Sequence, residues 1–367
     1  MKQLAIFGDL HIGRRPENNL IRKHIREGQV NFFDHSIELL KSRNIDTVIF
    51  TGDLLDQRNS IGSDSLIQLK RLLKEKFKGF KKHIILGNHD IFFESSYEIT
   101  PFELFQEIED TYMYIDSVGK IELLGKTWYM TPWLLPDNEK KFIKFLETLS
   151  TKPKEVKDTT VIFGHFDILN MLMEGSGNSM IGIDPNLFYN AAKLTISGHY
   201  HDKSINTKHD NTILYVGSPF AFTFANESPH GIWILNEDLS YEFLENTISP
   251  NFKTILDTHD LDNLPDLSNS FVRFYYNTSH SPEEMAIMKL KIDAKKPLLI
   301  ANSIPYSENV IEVINQTNEE EANKYLHMDI MKLGEVYVNG RESDLPKLKF
   351  YKDPKDEILK RLRKYDE

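Results

Sequence analysis

The stretch Gly87-Asn88-His89-Asp90 decides the fold that this sequence predicts. It follows the apolar run 83–86, so it marks the point where a strand ends in a tight loop. Glycine takes backbone angles closed to other residues, and the loop that it opens presents an amide oxygen, an imidazole and a carboxylate. The alternative interpretation is an ordinary surface turn, because Gly-Asn pairs are common turn formers. The rest of the chain decides between the two.

Four more strand-like runs end in the same way, each with a glycine followed by residues that can bind a metal ion. These runs end at Gly8-Asp9-Leu10-His11, Gly52-Asp53-Leu54-Leu55-Asp56, Gly164-His165 and Gly198-His199-Tyr200-His201. Open sheets of buried parallel strands gather their chemistry in the loops at the carboxyl ends of those strands. We therefore predict that seven side chains meet at one sheet edge: Asp9, His11, Asp53, Asn88, His165, His199 and His201.

The predicted cluster offers carboxylate, imidazole and amide donors and no thiolate, because the chain contains no cysteine. This mixture suits manganese or iron better than a structural zinc site, which usually recruits cysteine. Seven ligands exceed the need of one tetrahedral ion, whereas two ions that share a carboxylate would use them. Such ion pairs, about 3.5 to 4 Å apart, hold the attacking and leaving oxygens of a phosphoryl displacement. We expect two divalent metal ions, with Mn²⁺ as the first candidate.

In their order and spacing, these motifs resemble those of the calcineurin-like metallophosphoesterases. The segments around Asp9 and Asp53 and the later Val216-Gly217-Ser218-Pro219 are also similar to the SbcD-type nuclease subunit of double-strand-break repair and its phage relatives. The resemblance implies an α/β fold, a metallophosphoesterase β-sandwich of mixed sheets flanked by helices. It further implies a two-metal exonuclease or endonuclease that hydrolyses DNA. The alternative is another phosphatase or phosphodiesterase of the superfamily, acting on a substrate other than DNA.

The resemblance also implies roles for individual residues, with Asp53 bridging the two ions. One ion would be held by Asp9, His11 and His201, and the other by Asn88, His165 and His199. His89 would act in the chemistry, because family members do not use the residue after the ligand asparagine as a ligand. Asp90 would orient one of the histidines. Some relatives carry a histidine in place of Asp56, so the role of Asp56 and the balance between exonuclease and endonuclease action stay open.

The net charge of -11 argues against a surface that is generally suited to DNA, so any DNA contact must use local basic patches. One patch, residues 13–26, follows His11 directly, and we predict that its Arg14 and Arg15 contact DNA where phosphates would enter. A second patch lies in residues 65–82, where a solvated helix face is the preferred interpretation. The resemblance implies a homodimer, with residues 101–114 as a candidate contact, and an SMC-like ATPase subunit as a further partner.

Three segments are expected along the chain. Residues 1–255 form the nuclease domain, in which apolar residues at helical spacing between strands predict right-handed βαβ units, and residues 118–133 predict a hairpin. Residues 256–345 form a small α+β capping domain, with a capping box at Ser281-Pro282-Glu283-Glu284 after a linker. Residues 346–367 form a C-terminal helix that either docks the ATPase or folds back on its own domain.

Composition indicates the cellular compartment in which the protein is expected. At 367 residues, with 40% hydrophobic and 27% charged residues, the chain can bury a large core. No apolar run approaches the roughly 18 residues of a membrane span, and the start of the chain lacks the apolar stretch of a signal peptide. The absence of cysteine rules out disulfides and fits a reducing compartment. We expect a cytoplasmic protein with no membrane contact.

Overall fold

The computed structural model describes residues 2–14, 16, 18–173, 177–224 and 228–306. Within this range, the chain up to Tyr276 together with Ser281–Ile304 forms one compact unit, and Asn277–His280 belongs to a second. Several sequence-based expectations lie outside the described residues. These are the DNA contact of Arg15, the capping domain beyond residue 306 and the C-terminal helix at 346–367. The ATPase partner and the homodimer stay predictions.

The described residues contain 17 strands and six α-helices. The strands are β1 (Gln3–Phe7), β2 (Thr47–Phe50), β3 (Lys81–Ile85), β4 (Thr111–Tyr114), β5 (Gly119–Leu123), β6 (Lys126–Met130), β7 (Thr160–His165), β8 (Leu172–Met173), β9 (Gly177–Asn178), β10 (Leu194–Gly198), β11 (Ser204–Lys208), β12 (Asn211–Tyr215), β13 (Gly231–Asn236), β14 (Tyr241–Glu245), β15 (Asn251–Leu256), β16 (Ser270–Asn277) and β17 (Leu299–Tyr306). The helices are α1 (Asn19–Ser42), α2 (Ser63–Arg71), α3 (Pro136–Ser150), α4 (Lys154–Lys157), α5 (Pro185–Ala191) and α6 (Pro282–Asp293).

Two six-stranded mixed sheets make up the centre of the molecule. The first sheet has the order β14-β13-β1-β2-β3-β4, in which β1 to β4 run parallel and β13 is antiparallel to β1. The second has the order β11-β12-β10-β7-β6-β5, with β12, β10, β7 and β6 parallel. Its edges are antiparallel, and one of them is the predicted hairpin of β5 and β6.

Alternating side chains on the strands build three apolar layers. On β1, Ala5 and Phe7 face α1 and α2, whereas Leu4 and Ile6 face the second sheet. The far side of the second sheet packs against α3 and α5. Because each sheet is buried on both faces, its central strands are continuous apolar runs. The result is a sandwich of two mixed sheets flanked by helices, which confirms the predicted fold class.

The crossover helices show where local sequence and tertiary packing agree. The side chain of Asn18 caps α1 by accepting hydrogen bonds from the backbone N–H groups of Leu20 and Ile21. Helix α2 is followed by one turn of π-helix at Leu72–Lys76.

Residues 101–114, the candidate for a dimer helix, instead form a short 3₁₀ turn at Pro101–Phe105 and then β4. Phe102 and Phe105 are buried in the core beneath α1 and α2, so these two aromatic residues do not form an apolar row on the surface of a helix.

A three-stranded sheet follows the sandwich, in the order β15-β16-β17. The predicted capping box is present at the start of α6, where Ser281 and Glu284 exchange side-chain and backbone hydrogen bonds. Residues 257–270, expected to be a linker, bury Leu261 and Leu267 against this sheet and α6. Because β15 begins at Asn251, the small sheet already includes residues before the predicted boundary at 255, and the domain limits stay predictions.

Within the described part of the chain, none of the helices combines the length and apolar character that crossing a membrane needs. Even α1, with 24 residues, carries charged side chains along its outer face.

His83 on β3 provides a test of the core that is independent of the metal site. Its ring stacks on Tyr112 and its Nδ1 lies 3.0 Å from the hydroxyl of Tyr114. Burial lowers the pKa of His83 to about 4, with a smaller contribution from the charge of Lys81. Between this value and 6.5 the unfolded chain holds a proton that the folded chain does not, so stability falls as the pH falls.

We expect the His83→Phe variant, which retains the ring, to lose less stability on acidification than the unaltered protein. Between pH 7 and pH 5 the difference should be about 2 kcal/mol in the free energy of unfolding, measured by urea denaturation. Equal losses in both proteins would show that His83 is protonated in the folded state.

Candidate metal centre

All seven predicted ligand side chains meet where five strands of two sheets end. They follow β1, β2 and β3 in the first sheet and β7 and β10 in the second. Asp9, His11, Asp53 and His165 are almost fully buried, and Asn88, His199 and His201 are partly exposed. The structure thus brings the seven side chains together, and their roles as metal ligands stay a prediction.

Three of these residues have left-handed backbone angles that side chains rarely adopt. The φ angles are 44° at His11, 48° at Asp53 and 89° at His199. Each such angle costs on the order of 1–3 kcal/mol and persists only where the surroundings hold it. A hydrogen bond from the backbone N–H of His11 to the carbonyl of Asp53, 2.9 Å long, joins two of the strained loops. Strain concentrated at these positions is typical of a functional site.

Glycines allow the loops to approach one another closely. A Cβ atom on Gly87 would lie 2.1 Å from Oδ1 of Asp53, and one on Gly198 would lie 2.6 Å from Oδ1 of Asp9. Real Cβ atoms are never so close to another heavy atom, so any other residue would push the carboxylates out of place. Packing around the two carboxylates therefore explains the glycines that precede Asn88 and His199.

One group of donor atoms forms around His11. Nε2 of His11 lies 3.0 Å from Nε2 of His201 and 3.7 Å from Oδ2 of Asp53. Asp9 is anchored nearby, since its Oδ2 accepts a hydrogen bond from the backbone N–H of His199 at 2.9 Å. Two imidazole nitrogens aimed at the same point beside a carboxylate fit one divalent cation.

A second group forms around Asn88. Its Oδ1 lies 2.9 Å from Nε2 of His165 and 3.1 Å from Nδ1 of His199. Oδ2 of Asp53 lies 3.5 Å from Nε2 of His165, and ligand atoms of Asp53, His165 and His199 all lie within 4.8 Å of one another. The same oxygen of Asp53 is thus near both groups, which is the placement that a bridging carboxylate needs.

The electrostatics of the cluster favour a cation. Burial raises the pKa of Asp9 to about 6. Burial also opposes ionisation of Asp53, but nearby histidines, His165 first, hold the pKa of Asp53 far below its usual range. Burial would lower the pKa of His165, but the carboxylates of Asp53 and Asp9 raise it to about 9. Burial lowers the pKa of His11 to about 4, which leaves a neutral imidazole. The carboxylates therefore draw positive charge into the site, and His11 offers a neutral donor there.

Two further residues orient the histidines, and sequence analysis missed both. Nδ1 of His165 donates a hydrogen bond to the carbonyl of Thr51 at 2.7 Å, which turns its Nε2 toward Asn88. Nε2 of His199 donates to Oδ1 of Asp167 at 2.9 Å, which leaves its Nδ1 facing the cluster. Such contacts fix the ring orientation of metal-binding histidines. No sequence signal marked Asp167 except its place two residues after His165.

His89 lies at the edge of the cluster and is held in two places. Its backbone N–H donates to Oδ1 of Asp53 at 2.8 Å, and its Nδ1 donates to the carbonyl of Asp56 at 2.7 Å. The ring packs edge-on against His11, with a centroid distance of 5.0 Å. With Nδ1 occupied by a carbonyl, Nε2 is the nitrogen of His89 that remains to exchange a proton.

Asp90 does not have the role expected from the sequence. Its carboxylate accepts hydrogen bonds from the backbone N–H groups of Gly87, Leu54 and Leu55, at 3.0 to 3.4 Å, and from no histidine. Burial, and then the charge of Asp53, raise the pKa of Asp90 to about 8. The prediction that Asp90 orients a histidine is wrong, because its side chain points into the backbone of two loops and ties them together.

Asp56 and Arg14 form a pair beside His11. Oδ1 of Asp56 lies 3.3 Å from Nη1 of Arg14 and 3.3 Å from Nδ1 of His11, although the contact with His11 lacks hydrogen-bond geometry. The guanidinium of Arg14 also lies 4.8 Å from the centre of the Phe222 ring. Arg14 therefore lies beside the cluster of predicted ligands. Its contact with DNA stays a prediction.

Comparison with known proteins places the chain in a family. Residues 2–203, more than half of the chain, match the calcineurin-like phosphoesterase family. Protein 244L of Invertebrate iridescent virus 6, whose name describes it as a phosphoesterase, is 25% identical over 209 residues. That match covers 56% of this chain and 68% of the viral protein.

A second relative is the DNA double-strand break repair protein Mre11 of Methanosarcina mazei. It is 27% identical over 161 residues, which cover 40% of this chain and only 25% of Mre11. Among solved structures, an archaeal phosphodiesterase matches with 14% identity and a TM-score of 0.34, over 66% of this chain and 99% of that one. On the family match and the cluster of donors, the chain belongs to the calcineurin-like phosphoesterases, hydrolases of phosphoester bonds that use divalent metal ions.

Proposed function

We propose that the protein is a DNA nuclease that hydrolyses phosphodiester bonds with two divalent metal ions, of which Mn²⁺ is the first candidate. The observation that carries this proposal is the position of Asp53, whose Oδ2 lies 3.7 Å from a ring nitrogen of His11 and 3.5 Å from one of His165. One carboxylate between two sets of donors is the arrangement that a pair of ions requires. Such a pair, when bound, stabilises the attacking and leaving oxygens of an in-line displacement.

The chain's own residues would orient the metal-binding histidines and supply a proton to the leaving oxygen. Asp167 and the carbonyl of Thr51 hold the rings of His199 and His165, so their other ring nitrogens face Asn88 and would bind a metal ion there. His89 is fixed through Nδ1, and its Nε2 would give a proton to the leaving oxygen.

DNA as the substrate is supported by two observations. The partial match with Mre11, a double-strand break repair protein, extends over 161 residues of a chain whose family is shown. In addition, Arg14 carries positive charge to the edge of the cluster, where a phosphodiester backbone would pass. An isolated small phosphate ester would not need that contact.

A second candidate is a phosphoesterase that acts on a substrate other than DNA. It is favoured by the match with the viral phosphoesterase, which covers more of both chains than the match with Mre11 does. Both candidates use the same metal cluster, so only the substrate separates them.

The substrate is decided by assays of the purified full chain with MnCl₂. We expect cleavage of end-labelled double-stranded DNA and of a chromogenic phosphodiester, and little release from a phosphomonoester. The His89→Gln variant serves as the control for contaminating nuclease. Hydrolysis of the small diester without any cleavage of DNA would leave the chain a phosphodiesterase and overturn the nuclease proposal.

Asp53 should matter to both ions, because it lies near both groups of donors. We expect Asp53→Ala to abolish cleavage and to retain less than one equivalent of metal by elemental analysis. His201→Ala should lose mainly the ion nearest His11. The exposed His35 on α1 provides a control, since His35→Ala also removes an imidazole but should retain two equivalents. Two full equivalents in the Asp53 variant would contradict a bridging role.

His89 should contribute to chemistry without binding metal. We expect His89→Gln to lower turnover by roughly 10² to 10⁴, the usual scale for a positioned acid or base, with both ions retained. Lost metal would make His89 a ligand, and unchanged turnover would limit it to the structural contacts with Asp53 and Asp56.

A further inference from the structure

A basic groove opens beside the candidate metal centre, between helices α1 and α2. It is a cavity of about 780 Å³ that starts at Gly13 and Arg14, directly after the ligand His11. Its charged lining consists of Arg14, Arg22, Lys23, Arg26, Glu27 and Asp64. We call this feature, with its extension along α1, the α1/α2 groove.

The groove continues along α1 toward the π-helical turn that follows α2. A second cavity of about 180 Å³ shares Arg26, Val30 and Gln68 with the first and adds Arg71 and Lys76. From Asn19 to Phe33, the α1 residues that line the two cavities span roughly 20 Å at the helical rise of 1.5 Å per residue. This length is that of several successive phosphates of one DNA strand.

The charge of the groove is opposite to that of the protein. Six cationic side chains line the two cavities against two acidic ones, in a chain of net charge -11. The acidic partners neutralise little of this charge, because the pair of Arg26 with Asp64 is 3.7 Å long and about half exposed. Lys76 pairs with Asp34, whereas Arg71 forms no ion pair within the described residues. A concentrated positive field remains.

The floor of the groove is a built polar surface. Gln29 on α1 is 3% exposed, and its Nε2 donates to the carbonyl of Leu10 at 3.2 Å. Its Oε1 accepts a hydrogen bond from Nε2 of Gln68 on α2 at 3.3 Å. This chain of amides joins both walls of the groove to the loop that carries Asp9 and His11, so the groove and the metal centre share one rigid frame.

From these observations we infer that the α1/α2 groove binds the phosphate backbone of one DNA strand next to the bond being cleaved. The inference rests on the proposed nuclease function and names where its substrate lies. A regular row of negative charges is the ligand that an elongated groove lined mainly by cationic side chains favours. The hydrogen-bonded glutamine amides of the floor hold the two walls of the groove in place.

The structure adds a feature to the second basic patch, residues 65–82, which was expected to form a solvated helix face. Its cationic side chains are exposed apart from Lys82, whose Nζ donates to the carbonyls of Phe80 and Phe77. Among the exposed ones, Arg71 and Lys76 line the groove that the first patch also lines. Two basic segments separated in sequence thus line one surface.

Binding of a DNA strand is tested with the double variant Arg22→Glu/Arg71→Glu. Both side chains are exposed, so neither change disturbs the core. The probe is a fluorescent single-stranded 20-nucleotide DNA with phosphorothioate linkages, which resists cleavage during an anisotropy titration. The matched control is Lys144→Glu/Lys152→Glu, which makes the same charge change at exposed positions in and after α3, on the other side of the sandwich.

We expect the groove variant to bind the probe at least tenfold more weakly at 0.1 M salt and its log–log salt slope to fall by about 1.4, which is two contacts at about 0.7 each. It should still hydrolyse the chromogenic diester at the rate of the unaltered protein, and the control should match the unaltered protein in both assays.

The outcomes separate the two proposals. If the unaltered protein cleaves DNA and the groove variant binds the probe as tightly as the control, the groove inference is overturned and the nuclease proposal stands. If the unaltered protein hydrolyses the small diester but neither binds nor cleaves DNA, both fail. Weak binding by the control variant as well would show that overall charge, and not the groove, determines affinity.

Discussion

The buried negative charge of Asp9 and Asp53 is the constraint on which the rest of the site depends. Both carboxylates are almost completely removed from water, and a buried charge is costly unless positive charge or hydrogen bonds compensate it. In this protein the compensation comes from backbone N–H groups and from His165, and divalent metal ions of the kind that the family uses would add to it. Strained backbone and close glycine contacts follow, because the loops must converge on these two carboxylates.

The two-sheet architecture makes this convergence possible. Parallel strands carry all their carboxyl ends to one edge, and packing one sheet on the other brings two such edges together. Contacts across the seam are direct, since the ring of His165 at the end of β7 reaches the carbonyl of Thr51 after β2. The apolar layer between the sheets, with Ile6 and Phe163 among its members, therefore sets the distances in the metal centre as much as the loops do. The site is placed by the core beneath it.

An acidic protein can handle a polyanionic substrate if its positive charge is concentrated. The net charge of -11 would repel DNA from most of the surface, while the groove beside the metal centre carries the opposite sign. Such contrast guides a polyanion to one place and limits unproductive contacts elsewhere. Arg14 belongs to both regions, because it lines the groove and contacts Asp56 next to His11. The groove and the candidate metal centre are therefore physically connected.

The sequence by itself determined the strand-and-loop pattern and the seven polar side chains at its ends. These features are local, because a buried strand needs an apolar run and a close approach needs glycine next to the ligand. The sequence also indicated the capping box of α6 and the hairpin of β5 and β6, which depend on residues a few positions apart.

Only the tertiary structure decided which atoms each polar side chain faces. Asp90 binds backbone in place of a histidine, and Asp167 holds His199, because the partners come from segments far away in the chain. The pairing of two basic segments across one groove likewise depends on how α1 packs beside α2. Spacing along the chain specifies which groups reach the sheet edge, whereas their orientation follows from long-range packing that no local pattern encodes.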